Sequence, residues 1–364
     1  MSSDALATVE RDDLLGLTAA LVGIPSVSGD EVEIADAIEA RLRERAGELR
    51  IERVGNNVVA RTADSHGTRV VLAGHLDTVP PNGNARALVE DDVLHGLGSA
   101  DMKGGLAVML ALAEEVAGAG ASRFDATFIF YESEEVAEEH NGLRRLFRER
   151  PDLVDGSFAV LLEPTDGWLE AGCQGTLRLE AIFRGRRAHT ARAWLGVNAI
   201  HRAGEALSRV TAAADEMRPV VVDGLAYREG LQVVAVRGGV AGNVVPDECV
   251  VTVNRRFAPS IPLDEAVAQT RELLDGADEI NLIDAANAAL PSLRDPLISQ
   301  FVDTLALQVR PKLGWTDVAR FAQHGIPAVN FGPGDTELAH TAEERVNRVS
   351  LAACHSALLS FLSG

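Results

Sequence analysis

Residues 126–135, ATFIFYESEE, decide how this chain is read. A run with the length and β-type composition of a buried strand breaks into Glu132, Ser133, Glu134 and Glu135. Two other apolar runs end in the same manner. VVLAG (70–74) leads into His75, and SFAVLLE (157–163) ends on Glu163, where Pro164 prevents further ladder pairing. In an open α/β sheet the carboxyl ends of the strands converge on one crevice, where ligands bind. His75, Glu135 and Glu163 are therefore expected to meet. Asp101, in SADMKGG, and His340, in ELAHTAEE, complete a set of two imidazoles and three carboxylates. That set suits zinc, cobalt or manganese. With one carboxylate shared, two ions would each have three protein ligands and room for a bridging water.

Adjacent carboxylates at a strand mouth repel unless a cation or shared proton offsets the cost. A division of labour resolves the conflict, with Glu135 on metal and Glu134 as the general base toward water. His75-Leu76-Asp77 reads either as a hydrogen-bonded loop pair or as a ligand imidazole donating its other N–H to Asp77. Asp101 precedes GGLAVMLALAEEVAG (104–118), which has helical periodicity, so the helix dipole alone is a second account of it. A carboxylate after five apolar residues, as at Glu163, is costly to bury without a charge partner. His189, in RGRRAHTARAW, is a surface histidine or a donor to a tetrahedral oxyanion. The other histidines have no partners at ligand spacing.

Around these motifs the chain alternates strand and helix. LRIERVG and NNVVAR are strands, IADAIEARLRERA is a helix, and Ser28-Gly29-Asp30-Glu31 has the form of a capping box before it. From about Thr176 the order becomes β-α-β-β-α-β, the ferredoxin-like arrangement: TLRLEAIFRG, VNAIHRAGEALSRVTAAADEM, LQVVAVRGG, ECVVTVNRRF, PLDEAVAQTRELLDG and EINLID. A helix in DPLISQFVDTLALQV and a strand at PAVNF follow before His340. The expected architecture is α/β: a catalytic domain (1–175 and 293–364) of mixed sheet flanked by helices, with an inserted α+β domain (176–292).

A chain of 364 residues suits two domains. The net charge of −20 argues against a nucleic-acid partner. No apolar run approaches the roughly 20 residues of a membrane span, and MSSDALATVERDD lacks the basic start and apolar core of a secretory leader. Cys173, Cys249 and Cys354 are odd in number and widely spaced, which favours a reducing, cytoplasmic setting over a disulfide framework.

In this order, with this insertion, the motifs resemble the di-zinc amidohydrolase and carboxypeptidase family. The resemblance covers nearly the whole chain. It implies two Zn2+ per chain, with Co2+ able to substitute: His75 and Glu163 on one ion, Glu135 and His340 on the other, and Asp101 between them. It further implies Glu134 as catalytic base, Asp77 as the acid behind His75, and a cis peptide between Asp101 and Met102. The inserted domain becomes a lid and dimerisation domain, with His189 reaching the partner subunit's site in a homodimer. Asn243, Arg256 and Thr316 fall where the family contacts substrate. Stretches such as EAGCQGTLRLE, GGVAGNVVPD and KLGWTDVARF narrow the implied reaction to amide hydrolysis of N-succinyl-LL-2,6-diaminopimelate. Deacylation of N-acetylornithine, or hydrolysis of another acylamino acid or dipeptide, is the alternative. Gly314-Trp315-Thr316 departs from the Gly-Gly-Thr of other members acting on that succinyl amide. A non-catalytic binding protein on this fold would lack a ligand or Glu134, and all six positions are present.

Overall fold

The computed structural model describes residues 4–118 and 122–364, so Met1–Ser3 of the leader reading lie outside it. Two compact units are present. One comprises the chain up to Ala171, Ser292–Arg310 and Arg320–Gly364; the other comprises Gly172–Pro291 and Pro311–Ala319. The sequence-based division assigns residues 311–319 to the larger domain, whereas here they pack with the smaller unit.

The larger unit is built on an eight-stranded sheet. Its order is Arg50–Val54, Asn57–Arg61, Asp125–Tyr131, Arg69–His75, Phe158–Leu161, Ala328–Asn330, Leu169–Ala171 and Val309–Pro311. The four strands from Asp125–Tyr131 to Ala328–Asn330 run parallel, and antiparallel strands flank them. All seven residues of Asp125–Tyr131 and of Arg69–His75 are buried. Successive side chains point to opposite faces, so burial without alternation means both faces are covered, here by helices.

The helix Gly104–Gly118 is buried on nearly every side, which explains its continuous Leu/Ala/Val/Met composition. Its glycine pair has a steric reason. A Cβ on Gly105 would stand 2.4 Å from the Leu162 carbonyl oxygen, so only glycine lets this helix start against the strand end that carries Glu163. Arg41 and Glu114, both buried, join two helices at 2.6 Å, and Arg41 also donates to the carbonyls of Leu6 and Val9. The N-terminal residues are thereby tied to the core.

The smaller unit has a four-stranded antiparallel sheet in the order Gly230–Gly238, Glu248–Phe257, Gly175–Arg184, Glu279–Ala286. Numbered along the chain this is 2-3-1-4, the ferredoxin-like arrangement. Leu177, Leu179, Ala181 and Phe183 alternate with more exposed residues along one strand, as a sheet with one covered face requires. Ala199 and Ala203 of the helix Ala199–Glu216, and Ala266 of Leu263–Leu273, belong to the same core. The Asn198 side chain caps the first of these helices by accepting from Ile200 and His201 N–H. Among the described residues no helix is long and apolar enough to cross a membrane.

Candidate metal centre

His75 is the last residue of its strand, Glu134 and Glu135 follow Tyr131 by three and four residues, and Glu163 follows Leu161 by two. These strands are parallel neighbours, with His75 opposite Tyr131 and Ala73 opposite Leu161, so all four side chains emerge at one end of the sheet. Asp101 lies in the irregular turn Ser99–Lys103. There φ and ψ of Asp101 (−118°, 93°) and Met102 (−133°, 39°) are not helical, and the peptide joining them is cis. His340 adopts a left-handed φ of 63°.

Ligand-type atoms of His75, Asp101 and Glu163 lie within 4.8 Å of one another, and so do those of Asp101, Glu135 and His340. Asp101 belongs to both groups. Its Oδ1 is 3.1 Å from His75 Nε2, and its Oδ2 is 3.4 Å from His340 Nε2, which is 2.7 Å from Glu135 Oε1. Ligands about 2.0–2.1 Å from a tetrahedral zinc stand about 3.3 Å apart, which the 3.1 and 3.4 Å separations match, while the 2.7 Å between His340 and Glu135 is a direct hydrogen-bond distance. His75, Glu134 and Glu135 form a third such group, so Glu134 lies within reach of a residue from each of the other two.

The electrostatics demand positive charge. His75 Nδ1 is 3.0 Å from the Asp77 carbonyl oxygen, which can only accept, so Nδ1 carries the proton. In the neutral ring Nε2 then turns a lone pair toward the Asp101 carboxylate. Such a contact is stable only with a proton or a cation between the two. Burial opposes the His75 imidazolium, but Asp101, Asp77 and Glu163 together raise its pKa well above the ordinary value. Asp101 and Glu135 push His340 up to about 10 against a smaller effect of burial. Burial raises Asp101, yet His340 and His75 hold it below the usual carboxylate range. This donor set, two imidazoles among buried acids, fits divalent cations.

Asp77 differs from the simple picture of an acid behind His75. The nearer partner of Nδ1 is the Asp77 carbonyl; its carboxylate Oδ1 stands 3.5 Å away. That carboxylate accepts from Glu134 N–H and Glu135 N–H, each at 3.0 Å, and from the Ser28 hydroxyl at 2.7 Å. Ser28 therefore does not cap a helix. The helix begins at Val32, and Glu31 accepts from Gly29 N–H and from the Ser133 hydroxyl. The Ser-x-x-Glu spacing marks a real feature of another kind, a loop laid behind the strand ends that carry Asp77 and Ser133. Ser133 itself turns the chain with a φ of 61°.

Glu344, which the sequence reading overlooks, is buried and accepts three backbone N–H groups at 3.0 Å: Gly98 on Oε2, and Ala100 and Asp101 on Oε1. Only its place four residues after His340 sets it apart from the exposed Glu343 beside it.

Within the smaller unit, His189 opens the turn Thr190–Leu195 and its Nδ1 accepts from Ala191 N–H. The ring proton of the neutral form is thus on Nε2, leaving an exposed N–H donor. Asn243 lies beside it, its carbonyl accepting from Thr190 N–H, and His189 bridges to Val244. Arg256 occupies the central strand Glu248–Phe257, where burial first and then Arg178 lower its pKa. Thr316 is buried, its carbonyl 3.6 Å from Cys173 Sγ, and the Trp315 indole N–H donates to the Asn287 carbonyl.

Residues 71–364 match the profile of Peptidase family M20/M25/M40. The chain is 50% identical over 355 residues to a Mycobacterium tuberculosis protein provisionally named succinyl-diaminopimelate desuccinylase DapE, covering 97% of this chain and 99% of that one. It is 45% identical over 361 residues to a Corynebacterium glutamicum protein named succinyl-diaminopimelate desuccinylase, covering 96% and 97%. In fold it is similar to Bacillus subtilis YXEP, described as a dinuclear metal binding peptidase of the M20 family. The TM-score is 0.71 at 18% identity, over 96% of this chain and 97% of that one.

Proposed function

The chain belongs to peptidase family M20/M25/M40, and we propose that within it this enzyme hydrolyses N-succinyl-LL-2,6-diaminopimelate to succinate and LL-2,6-diaminopimelate. It is a metal-dependent amide hydrolase. The observation that carries the substrate is the 45% identity to the Corynebacterium desuccinylase over nearly the full length of both chains.

His75 and Glu163 would hold one divalent cation and Glu135 and His340 a second, with Asp101 shared; zinc suits the donors, and cobalt can replace it. When bound, such ions supply Lewis acidity toward water and the amide carbonyl. Glu134 takes a proton from the water as its oxygen bonds to the carbonyl carbon. The same carboxyl returns that proton to the amide nitrogen as the carbon–nitrogen bond breaks, releasing succinate and the free amine. The Asp77 carboxylate, by gripping the Glu134 and Glu135 amides, fixes base and ligand in one orientation. His189 donates Nε2–H to the developing oxyanion and is supplied by the partner in a homodimer formed through the inserted domain. Asn243, Arg256 and Thr316 contact the substrate, with the Arg256 guanidinium suited to a carboxylate. The three buried, unbridged cysteines support a cytoplasmic location.

The test is steady-state kinetics of the zinc-loaded protein on N-succinyl-diaminopimelate and on N-acetylornithine. The succinyl amide should be strongly preferred. Efficient acetylornithine hydrolysis without desuccinylation would assign the chain to that neighbouring reaction instead.

A further inference from the structure

Glu344 sits where two candidate ligands are brought together. The following strand, Arg345–Asn347, pairs with Val93–His95, and the Glu344 carbonyl accepts from Gly96 N–H at 3.1 Å, so its backbone is pinned. Its carboxylate reaches under the turn that carries Asp101 and accepts from Gly98, Ala100 and Asp101 N–H. Those partners lie 243 to 246 residues away in sequence. His340 lies four residues before Glu344. One short segment therefore supplies a candidate ligand and also holds the backbone of the ligand shared by both ions.

The choice of a carboxylate has a reason. A buried charge is tolerated only when hydrogen-bonded, and three N–H donors satisfy this one. Oε1 serves two amides and Oε2 the third. Glutamine has one acceptor oxygen, so it would lose a bond or turn its own NH2 toward the Gly98 N–H.

We propose that Glu344 is a positioning residue that holds the Asp101 turn in its metal-accepting conformation before metal arrives, locking Asp101 in register with His340. The proposal rests on the two-metal reading. In the metal-free protein the amides of Ala100 and Asp101 are then already bonded, and the shared ligand waits in place.

The experiment is titration of the chelator-stripped protein with Zn2+ alone, in competition with a chelating dye. Unmodified protein, Glu344→Gln and Glu344→Ala are compared, with the exposed neighbour Glu343→Gln as control. At least one of the two zinc equivalents should weaken about 10–100-fold in Glu344→Gln, the range seen when a partner of a metal ligand is removed. Glu343→Gln should titrate as the unmodified protein does. Unchanged affinity for both equivalents in Glu344→Gln overturns the proposal. Amide hydrogen exchange in the unmodified, metal-free protein decides the matter even if both Glu344 variants misfold. Protected Ala100 and Asp101 amides are expected, and protection that arises only after zinc is added overturns it. Fewer than two zinc equivalents in the unmodified protein would defeat the two-metal reading itself, leaving Glu344 to be judged by exchange.

Discussion

The Ser28 hydroxyl donates to the Asp77 carboxylate at 2.7 Å, linking the loop behind the sheet to the residue that grips Glu134 and Glu135. Burial raises the Asp77 pKa, but His75, then Ser28 and the Glu134 amide, bring it below the ordinary value. Asp77 therefore stays ionised and able to accept from two amides at once. Asp77→Asn keeps the shape but offers one acceptor oxygen, so one of the two amides loses its partner. Its kcat should fall about 10–100-fold with little change in KM, because the orientation of Glu134 and Glu135 is disturbed more than substrate binding. Ser28→Ala should act in the same direction and more weakly. If Asp77→Asn retains full kcat, the grip on these amides has no catalytic consequence.

Glu134→Gln should leave zinc content intact while turnover drops by about 10²–10⁴-fold, the usual contribution of general-base catalysis. Glu135→Gln should lose zinc, since Glu135 Oε1 lies 2.7 Å from His340 Nε2 inside the cluster. Elemental analysis beside kinetics separates the two. Metal loss in Glu134→Gln together with retention in Glu135→Gln would reverse the assignments.

The strand ends were legible because Arg69–His75 and Asp125–Tyr131 are buried on both faces, so each reads as a continuous apolar run stopped by a polar residue. The insert was legible for a different reason. One covered face imposes a period of two on Gly175–Arg184, and helices of helical period lie between the strands. What sequence hides is long-range hydrogen bonding. Ser28 and Asp77 are 49 residues apart, and Glu344 and Asp101 are 243. In both cases the local pattern reads as something ordinary, a capping box or a solvated acid pair. The hairpin Leu88–Glu90 with Val93–His95 also escapes notice, because one three-residue strand is exposed throughout and the other buries only Leu94, too little to impose a pattern.

Cys173, Cys249 and Cys354 are all free and buried, and burial raises each thiol, Cys173 to about 11. Since the folded values lie above those of the unfolded chain, their contribution to stability is complete below about pH 8.5 and is lost as pH rises through the folded values. Tm should fall between about pH 8.5 and 11, and Cys173→Ala should flatten part of that fall. At pH 8 the native protein should not react with a thiol-specific dye within minutes, whereas the denatured chain should titrate all three thiols. A fast-reacting native thiol would contradict this.

His189 presents an exposed Nε2–H because its Nδ1 is occupied by the Ala191 amide, so it is prepared to donate to an anion. If that anion is the oxyanion in the partner's site, any exchange in a twofold dimer is reciprocal. His189→Ala and Glu134→Gln, purified separately, should each be nearly inactive. After equal mixing and subunit exchange, about half of the dimers contain one chain of each kind. Each mixed dimer has one site joining an intact Glu134 to the partner's intact His189, and one site lacking both. Activity should return to about a quarter of the unmodified level under random pairing. Mass spectrometry of tagged chains establishes that exchange has taken place. Verified exchange with no recovery would place His189 in its own chain's site, or outside the reaction altogether.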